Sequence, residues 1–205
     1  MTASTSFIHV FEPGTDASAP PLLLLHGTGG NEHDLIALGR QLSPGSALLS
    51  PRGRVNEHGA NRFFARLSKG VFDPDEVTRR THELADFIAA ACRQNSLPAG
   101  RQVAVGFSNG ANIAATLMQL RPETLAGAIL LRPMVVLDTP ALTNSLKGKR
   151  ILIASGSQDP IVPADHPERL AALLSHGGAE LIRQMSAAGH NLTAGDFVAA
   201  KTFLT

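Results

Sequence analysis

With 205 residues, 43% of them hydrophobic, and a formal net charge of +1, the chain has the composition of one globular domain over residues 1–205. The charged residues (17%) form no block of Lys and Arg, which argues against a nucleic-acid partner. The only cysteine, Cys92, excludes an internal disulfide and favours a reducing compartment. Because the N-terminus has no signal-peptide pattern and no apolar run is long enough to cross a bilayer, we expect a cytoplasmic protein without membrane insertion.

Short apolar stretches alternate with helix-forming stretches along the chain, which is typical of an α/β fold with a mostly parallel sheet. Most of the strands are too uniformly apolar to have a solvated face, so we expect helices on both faces of the sheet. The predicted strands, in chain order, are residues 7–11, 21–25, 47–50, 102–107, 126–131, 150–154 and 180–184.

The clearest predicted helix spans residues 75–92, where apolar side chains recur at helical spacing. Further helices are predicted around residues 111–118, 170–174 and 197–203. The long connection over residues 51–73 has no predicted element, and loops of this length are usually functional or mobile. It is too short for a large cap domain, so we expect an open pocket with this segment as a candidate partial lid.

The most informative motif is Gly106-Phe107-Ser108-Asn109-Gly110, which lies between an apolar β-branched stretch and a helix-forming one. A strand, a glycine-flanked serine and a helix form the context that a nucleophile elbow requires. The turn forces the serine into a sparsely populated backbone conformation, and the glycines lack the Cβ atoms that would collide with neighbouring elements. We therefore predict that Ser108 is a nucleophile at the C-terminal edge of the sheet.

A serine nucleophile needs a base and a group that orients the base, and the chain order expected for this elbow is serine, acid, histidine. Asp159 follows the strand predicted at residues 150–154, and His190 follows the last predicted strand. Both residues would therefore lie at the same edge of the sheet as Ser108. A second candidate for the acid, Asp138, follows the strand predicted at residues 126–131, and this alternative stays open.

The glycine-rich loop His26-Gly27-Thr28-Gly29-Gly30 follows the strand predicted at residues 21–25. Such a loop supplies a backbone N–H donor for the oxyanion of an acyl-transfer reaction. We assign one donor to the backbone of Thr28 and the other to the backbone of Asn109, which opens a helix whose dipole favours negative charge. For His26 itself, a structural role in bonding neighbouring loops is the simpler interpretation.

Candidate substrate-binding residues lie in the segment 51–73 and just past a strand end. Phe63, Phe64 and Phe72 are candidates for the wall of an acyl or aryl pocket, with packing of the segment onto the core as the open alternative. Met134 is a further candidate for this wall.

Three arginines of the same region, Arg52, Arg54 and Arg62, are candidates for an anion-selective rim, with an ion-paired loop as the alternative. We include Arg62 among the substrate-binding candidates. The chain has no H-E-x-x-H motif, no pair of cysteines and no cluster of carboxylates, so no metal site is expected.

Four motifs together resemble those of the small bacterial carboxylesterase/phospholipase-type α/β hydrolases. They are the loop at residues 25–32, the elbow, the segment at residues 156–160 and Gly189-His190. The closest likeness is to a branch with a similar segment from Arg62 to Asp73, and the resemblance covers nearly the whole chain. It implies an α/β-hydrolase fold, here with a trimmed N-terminus, and a Ser-His-Asp ester hydrolase without a cofactor.

Related families differ at the elbow. Dienelactone hydrolases carry cysteine where this chain has Ser108, and acyl-protein thioesterases and esterases usually have glutamine where it has Asn109. On the basis of the four motifs and of Ser108 as the nucleophile, the main hypothesis is a carboxylesterase that acts on small or medium esters through an acyl-enzyme. The alternatives are a thioesterase or lysophospholipase for longer acyl chains, or a non-catalytic ligand-binding protein, and the sequence leaves a homodimer open.

Overall fold

The computed structural model describes residues 6–205, in which a seven-stranded sheet lies between two layers of helices. The strands of this sheet are β1 (His9–Glu12), β2 (Leu22–Leu25), β3 (Leu48–Pro51), β6 (Val103–Phe107), β7 (Gly127–Leu131), β8 (Arg150–Gly156) and β9 (Glu180–Ser186). A separate hairpin is formed by β4 (Val55–Glu57) and β5 (Ala60–Arg62). The α-helices are α1 (Ile36–Leu42), α2 (Pro74–Gln94), α3 (Asn109–Leu120), α4 (His166–Ser175) and α5 (Ala194–Leu204).

The spatial order of the sheet is β1-β3-β2-β6-β7-β8-β9. Of the seven strands that the described chain contributes, only β1 runs antiparallel, paired with β3 at the edge, while every other neighbouring pair is parallel. The mostly parallel sheet with helices on both faces is as predicted. Because the strands are parallel, the carboxyl ends of β2, β6, β8 and β9 all meet at one edge, where the predicted site residues lie.

The core has two layers because alternate side chains of each strand point to opposite faces of the sheet. Leu22 and Leu24 of β2 pack in the layer that contains Phe203 of α5. Leu23 and Leu25 pack in the other layer, with residues of α2, α3 and α4. No helix of residues 6–205 is long and apolar enough to cross a membrane.

Three features were not predicted from the sequence: the short helix α1, a 3₁₀-helix at Pro122–Thr124 and the hairpin β4–β5. The segment 51–73 is therefore not a connection without secondary structure. The hairpin turn is formed by His58 and Gly59, which both have positive φ angles (52° and 90°), as a two-residue turn of this kind requires. Strands of three residues carry too little periodicity to be predicted from sequence.

Candidate active site

Ser108 lies on a sharp turn between β6 and α3, in a backbone conformation that few residues adopt (φ 52°, ψ −114°). A Cβ atom on Gly106 would lie 2.5 Å from the carbonyl oxygen of Gly110, and one on Gly110 would overlap the carbonyl oxygen of Leu25. Both glycines are thus required for the close approach of helix and strands. The turn is held by the Ser108 N–H, which donates to the carbonyl oxygen of Leu131 at 2.9 Å.

The structure brings Ser108, His190 and Asp159 together, although they are far apart in the sequence. The distance from His190 Nε2 to Ser108 Oγ is 2.9 Å, and that from His190 Nδ1 to Asp159 Oδ2 is 2.7 Å. With the carboxylate on Nδ1, the proton of a neutral imidazole resides there, so Nε2 is free to accept the proton of the serine hydroxyl. This geometry can activate an alcohol as a nucleophile.

The carboxyl group of Asp159 is almost completely buried, with 2% of its side chain exposed. Burial acts to raise its pKa, but the N–H groups of Ile161 and Val162 and the ring of His190 donate to it. Together these donors hold the pKa of Asp159 below its usual value, so the group is ionised at neutral pH. The alternative acid, Asp138, is exposed and lies 3.2 Å from Arg169 in an ion pair, away from His190.

The two predicted oxyanion donors, Thr28 and Asn109, both line the cavity at Ser108. Neither backbone N–H donates a hydrogen bond to any group of residues 6–205. Asn109 is the first residue of α3, so its N–H is one of the donors that an α-helix leaves unpaired. Both N–H groups are therefore available to an oxygen atom of a ligand.

The hairpin β4–β5 holds the glycine-rich loop in place, a role that the sequence analysis missed. The N–H of Gly29 donates to the carbonyl oxygen of Asn61 at 2.9 Å, and the amide of Asn61 donates to the carbonyl oxygen of Gly30 at 2.9 Å. Arg62 donates to the hydroxyl of Thr28 at 2.5 Å. The loop is thus fixed before any ligand binds.

His26 has the structural role expected of it. Its Nδ1 donates to the carbonyl oxygen of Gly27 at 2.7 Å, and its Nε2 accepts from the N–H of Gly53 at 2.9 Å. Burial lowers the pKa of the ring, which stays neutral. Since both nitrogens are engaged, His26 is not available as a base.

A cavity of about 390 Å³ opens beside Ser108, and three of the candidate substrate-binding residues, Arg62, Phe72 and Met134, line it. For Phe63 and Phe64 the alternative of packing onto the core is right and the pocket wall is wrong, because both side chains are buried in the core (3% and 0% exposed) and do not line this cavity. The remaining lining residues are Thr28, Arg66, Lys69, Gly70, Phe107, Ser108, Asn109, Asn112, Arg132, Ile161, Val162 and His190.

The inward orientation of the two phenylalanines has a local cause. The ring of Phe63 packs against His26 with centroids 4.8 Å apart, and that of Phe64 packs against Phe72 at 5.4 Å. The N–H of Phe63 donates to Asn109 Oδ1 at 2.8 Å, which ties this segment to the residue after the nucleophile. These residues support the site from behind and leave the cavity wall to Phe72.

Arg132, which the sequence analysis did not single out, braces the loop that carries His190. It is fully buried at the end of β7 and donates to the carbonyl oxygens of Gly189 (3.1 Å) and Asn191 (2.8 Å), on either side of His190. It also forms a buried ion pair with Asp196 of α5, at 2.7 Å. The available signal was an arginine within an apolar stretch, which requires a buried partner.

We expect Arg132→Met to lower the free energy of unfolding by roughly 3–5 kcal/mol, because it leaves the carboxylate of Asp196 buried and unpaired. Urea unfolding measures the change. The matched control is Arg169→Met, which removes an exposed arginine and is expected to cost less than about 0.5 kcal/mol. Equal effects of the two substitutions would contradict the bracing role of Arg132.

The same ion pair predicts a pH-dependent stability. Burial acts to raise the pKa of Asp196, but hydrogen bonds from Arg132, Thr193 and Ser186 lower it to about 2. Since the pKa in the unfolded chain is about 3.9, the carboxylate stabilises the fold fully above that value and loses this effect as the pH falls towards 2. The difference in stability between the wild type and Asp196→Asn is thus expected to shrink between about pH 5 and pH 3, as followed by urea unfolding. A constant difference would contradict the assignment.

No group of three His, Cys, Asp or Glu side chains in residues 6–205 is placed so that it could hold a metal ion.

Comparisons with known proteins agree with this architecture. A family model described as phospholipase/carboxylesterase matches residues 8–205. The inferred hydrolase MhqD of Bacillus subtilis (strain 168) is 45% identical over 185 residues, which cover 90% of this chain and 91% of MhqD.

Two solved structures are also similar. The Bacillus cereus carboxylesterase is 42% identical, with a TM-score of 0.91, over 95% of this chain and 92% of that one. YahD, determined with malic acid, is 32% identical, with a TM-score of 0.89, over 95% and 96% of the two chains. These similarities confirm the predicted fold.

Proposed function

Because the chain belongs to the phospholipase/carboxylesterase family of α/β hydrolases, we propose that it is a serine hydrolase that cleaves small or medium carboxylic esters. The observation that carries this proposal is the continuous set of hydrogen bonds from Ser108 through His190 to Asp159 at the wall of the cavity. Such a set activates a serine hydroxyl and is not needed for binding alone.

In the first half of the reaction, Ser108 Oγ attacks the ester carbonyl carbon while His190 Nε2 takes the hydroxyl proton. Asp159 keeps the imidazole oriented and stabilises the imidazolium that forms. The tetrahedral intermediate then collapses, His190 gives its proton to the leaving alcohol, and the acyl group remains on Ser108 as an ester. In the second half, a water molecule loses its proton to His190, attacks the acyl carbon and releases the acid.

The negative charge of each tetrahedral intermediate develops on the former carbonyl oxygen. We propose that the backbone N–H groups of Thr28 and Asn109 donate to this oxygen, since both are unpaired within residues 6–205 and line the cavity. Each such preorganised donor is worth roughly 3–4 kcal/mol of the barrier. The hairpin that fixes the glycine-rich loop limits the reorganisation required at this step.

A thioesterase or lysophospholipase activity is the second candidate, and one feature favours it. Leu67, Val71 and Ile161 have 71%, 49% and 45% of their surface exposed, and Ile161 lines the cavity that Lys69 and Gly70 also border. A longer acyl chain would cover such apolar side chains.

That the enzyme acts in the cytoplasm stays a prediction from its single cysteine.

The test is hydrolysis of p-nitrophenyl acetate, butyrate and octanoate, with lysophosphatidylcholine and a palmitoyl thioester in parallel. We expect the largest kcat/KM with acetate or butyrate, since the cavity is lined by cationic and amide side chains, such as Arg62 and Asn112, that a long apolar acyl chain would desolvate without pairing. A maximum with octanoate and the lipid would favour the second candidate. The similarity to YahD, determined with malic acid, also supports testing esters that carry an acidic group. Folded protein without any turnover would overturn the proposal in favour of a ligand-binding role.

A further inference from the structure

Among residues 6–205, the cavity beside Ser108 is lined by positively charged side chains and by no acidic one. Four of its lining residues, Arg62, Arg66, Lys69 and Arg132, are cationic. Resting on the ester hydrolysis proposed above, we infer that the preferred substrate is an ester that carries an anionic group, a carboxylate or a phosphate. Lys69 and Arg66, which both line the cavity, bind this group.

Two of the four cations serve the protein itself. Arg132 is neutralised by Asp196, with which it forms a buried ion pair. Arg62 is 5% exposed, and it donates to the hydroxyl of Thr28 and to the carbonyl oxygen of Phe64. These two arginines hold the loops around the nucleophile, and they do not by themselves predict a charged ligand.

The two remaining cations of the cavity wall are Arg66 and Lys69. Glu57 lies 3.2 Å from Arg62 and 2.6 Å from Arg66, so a single carboxylate is shared by two arginines. Lys69 is exposed, and its ammonium group has no hydrogen bond or ion pair with any group of residues 6–205. Within the described chain, Arg66 and Lys69 are therefore opposed only by a carboxylate that Arg66 shares with Arg62, which leaves a local potential that attracts anions.

The position of Lys69 is set by a tight turn. The N–H of Leu67 donates to the carbonyl oxygen of Val71 at 2.9 Å, and the N–H of Val71 donates back to that of Ser68 at 3.0 Å. Gly70 supplies the positive φ angle (76°) that closes the turn. Lys69 and Gly70 consequently border the cavity from a hydrogen-bonded turn.

Among the neutral polar side chains of the cavity, Asn112 offers a donor. It uses its Oδ1 to accept from the N–H of Met134, which leaves its Nδ2 for a ligand. Asn109 adds no side-chain donor, because its Oδ1 accepts from the N–H of Phe63 and its Nδ2 is fully buried. An amide donor favours a ligand that brings acceptors, and an anionic group brings acceptors only.

Apolar residues complete the wall, namely Phe72, Phe107, Met134, Ile161 and Val162. A ligand that matches this lining has an apolar acyl or aryl part beside the ester and a negative charge at its far end. A cationic or zwitterionic head group would instead bring an ammonium group towards Lys69 and Arg66, where like charges repel.

The experiment uses three six-carbon p-nitrophenyl esters with the same leaving group: hexanoate, the adipate monoester and 6-aminohexanoate. They end in a methyl, a carboxylate and an ammonium group, so they differ in charge at one place. We expect kcat/KM for the adipate monoester to exceed that for hexanoate about tenfold, mainly through KM, and 6-aminohexanoate to be the poorest substrate. The preference should weaken with added salt, which screens exposed charges.

A second pair of substrates places the charge on the alcohol side. It comprises 4-acetoxybenzoate and its neutral methyl ester, and a preference for the anion in either pair supports the inference.

Lys69→Gln is the diagnostic variant, because Lys69 has no partner in the described chain whose loss would disturb the fold. It should remove most of the preference for the anionic ester, and Lys69→Glu should shift the preference towards 6-aminohexanoate. The matched control is Lys201→Gln, which removes the same charge from the exposed face of α5, outside the cavity. It should leave the ratio of the two kcat/KM values unchanged.

Failure of this inference and failure of the proposed function give different results. Hydrolysis of hexanoate with no preference for the anion in either pair, or an equal loss of preference in Lys69→Gln and Lys201→Gln, overturns the anion site and leaves ester hydrolysis intact. Absence of hydrolysis with every ester overturns the proposed function itself.

Discussion

Replacement of Ser108 by alanine is expected to reduce kcat for p-nitrophenyl butyrate by at least about 10⁴-fold. Ser108 Oγ is the atom 2.9 Å from His190 Nε2, and without it no acyl-enzyme forms. The substitution removes one partly buried oxygen atom from a turn whose backbone hydrogen bonds remain, so urea unfolding should change little. Steady-state kinetics together with the unfolding curve measure both effects.

Ser175→Ala is the matched control, since Ser175 is exposed at the end of α4 and lies outside the cavity. Its activity should equal that of the wild type. If Ser108→Ala kept more than a few per cent of the activity while folded, another nucleophile would have to be sought.

Asp159→Asn is expected to lower kcat by about 10⁴-fold, the second largest effect. An asparagine at this position can donate to His190 Nδ1, which favours the tautomer with the proton on Nε2. That tautomer cannot accept the proton of the serine hydroxyl. The loss should appear in kcat and not in KM, because Asp159 does not line the substrate cavity.

Asp138→Asn is the matched control for the acid. Asp138 is exposed and paired with Arg169, so its substitution should change kcat less than twofold, on the order expected for surface residues. A large loss of kcat in Asp138→Asn with little loss in Asp159→Asn would show that the acid is Asp138, which follows β7, and not Asp159.

The elements around the nucleophile could be predicted from sequence because their determinants are local. A β-branched strand, two glycines that flank a serine and a helix-forming stretch specify the elbow within a few residues. Asp159 and His190 could be placed because each follows a strand of a parallel sheet, and the ends of such strands share one edge. The alternation of strands and helices predicted the mostly parallel α/β sheet, and the resemblance of four motifs to a known family implied the α/β-hydrolase fold.

The features that sequence did not predict depend on contacts between distant residues. The direction of Phe63 and Phe64 is set by His26 and Phe72, and no local pattern distinguishes a core phenylalanine from a pocket phenylalanine. The bracing role of Arg132 depends on Asp196, which is 64 residues away. The short hairpin that fixes the glycine-rich loop has too few residues per strand to produce a readable period.

The most direct test of the central claim is labelling of the folded protein with a fluorophosphonate, followed by mass mapping of the modified residue. Such probes phosphonylate only a serine that a neighbouring base activates. The proposed arrangement predicts one adduct per chain, located on Ser108, which is absent in Ser108→Ala and much slower to form in Asp159→Asn. An adduct on another serine, or none on folded wild-type protein, would contradict the assignment of Ser108 as the nucleophile.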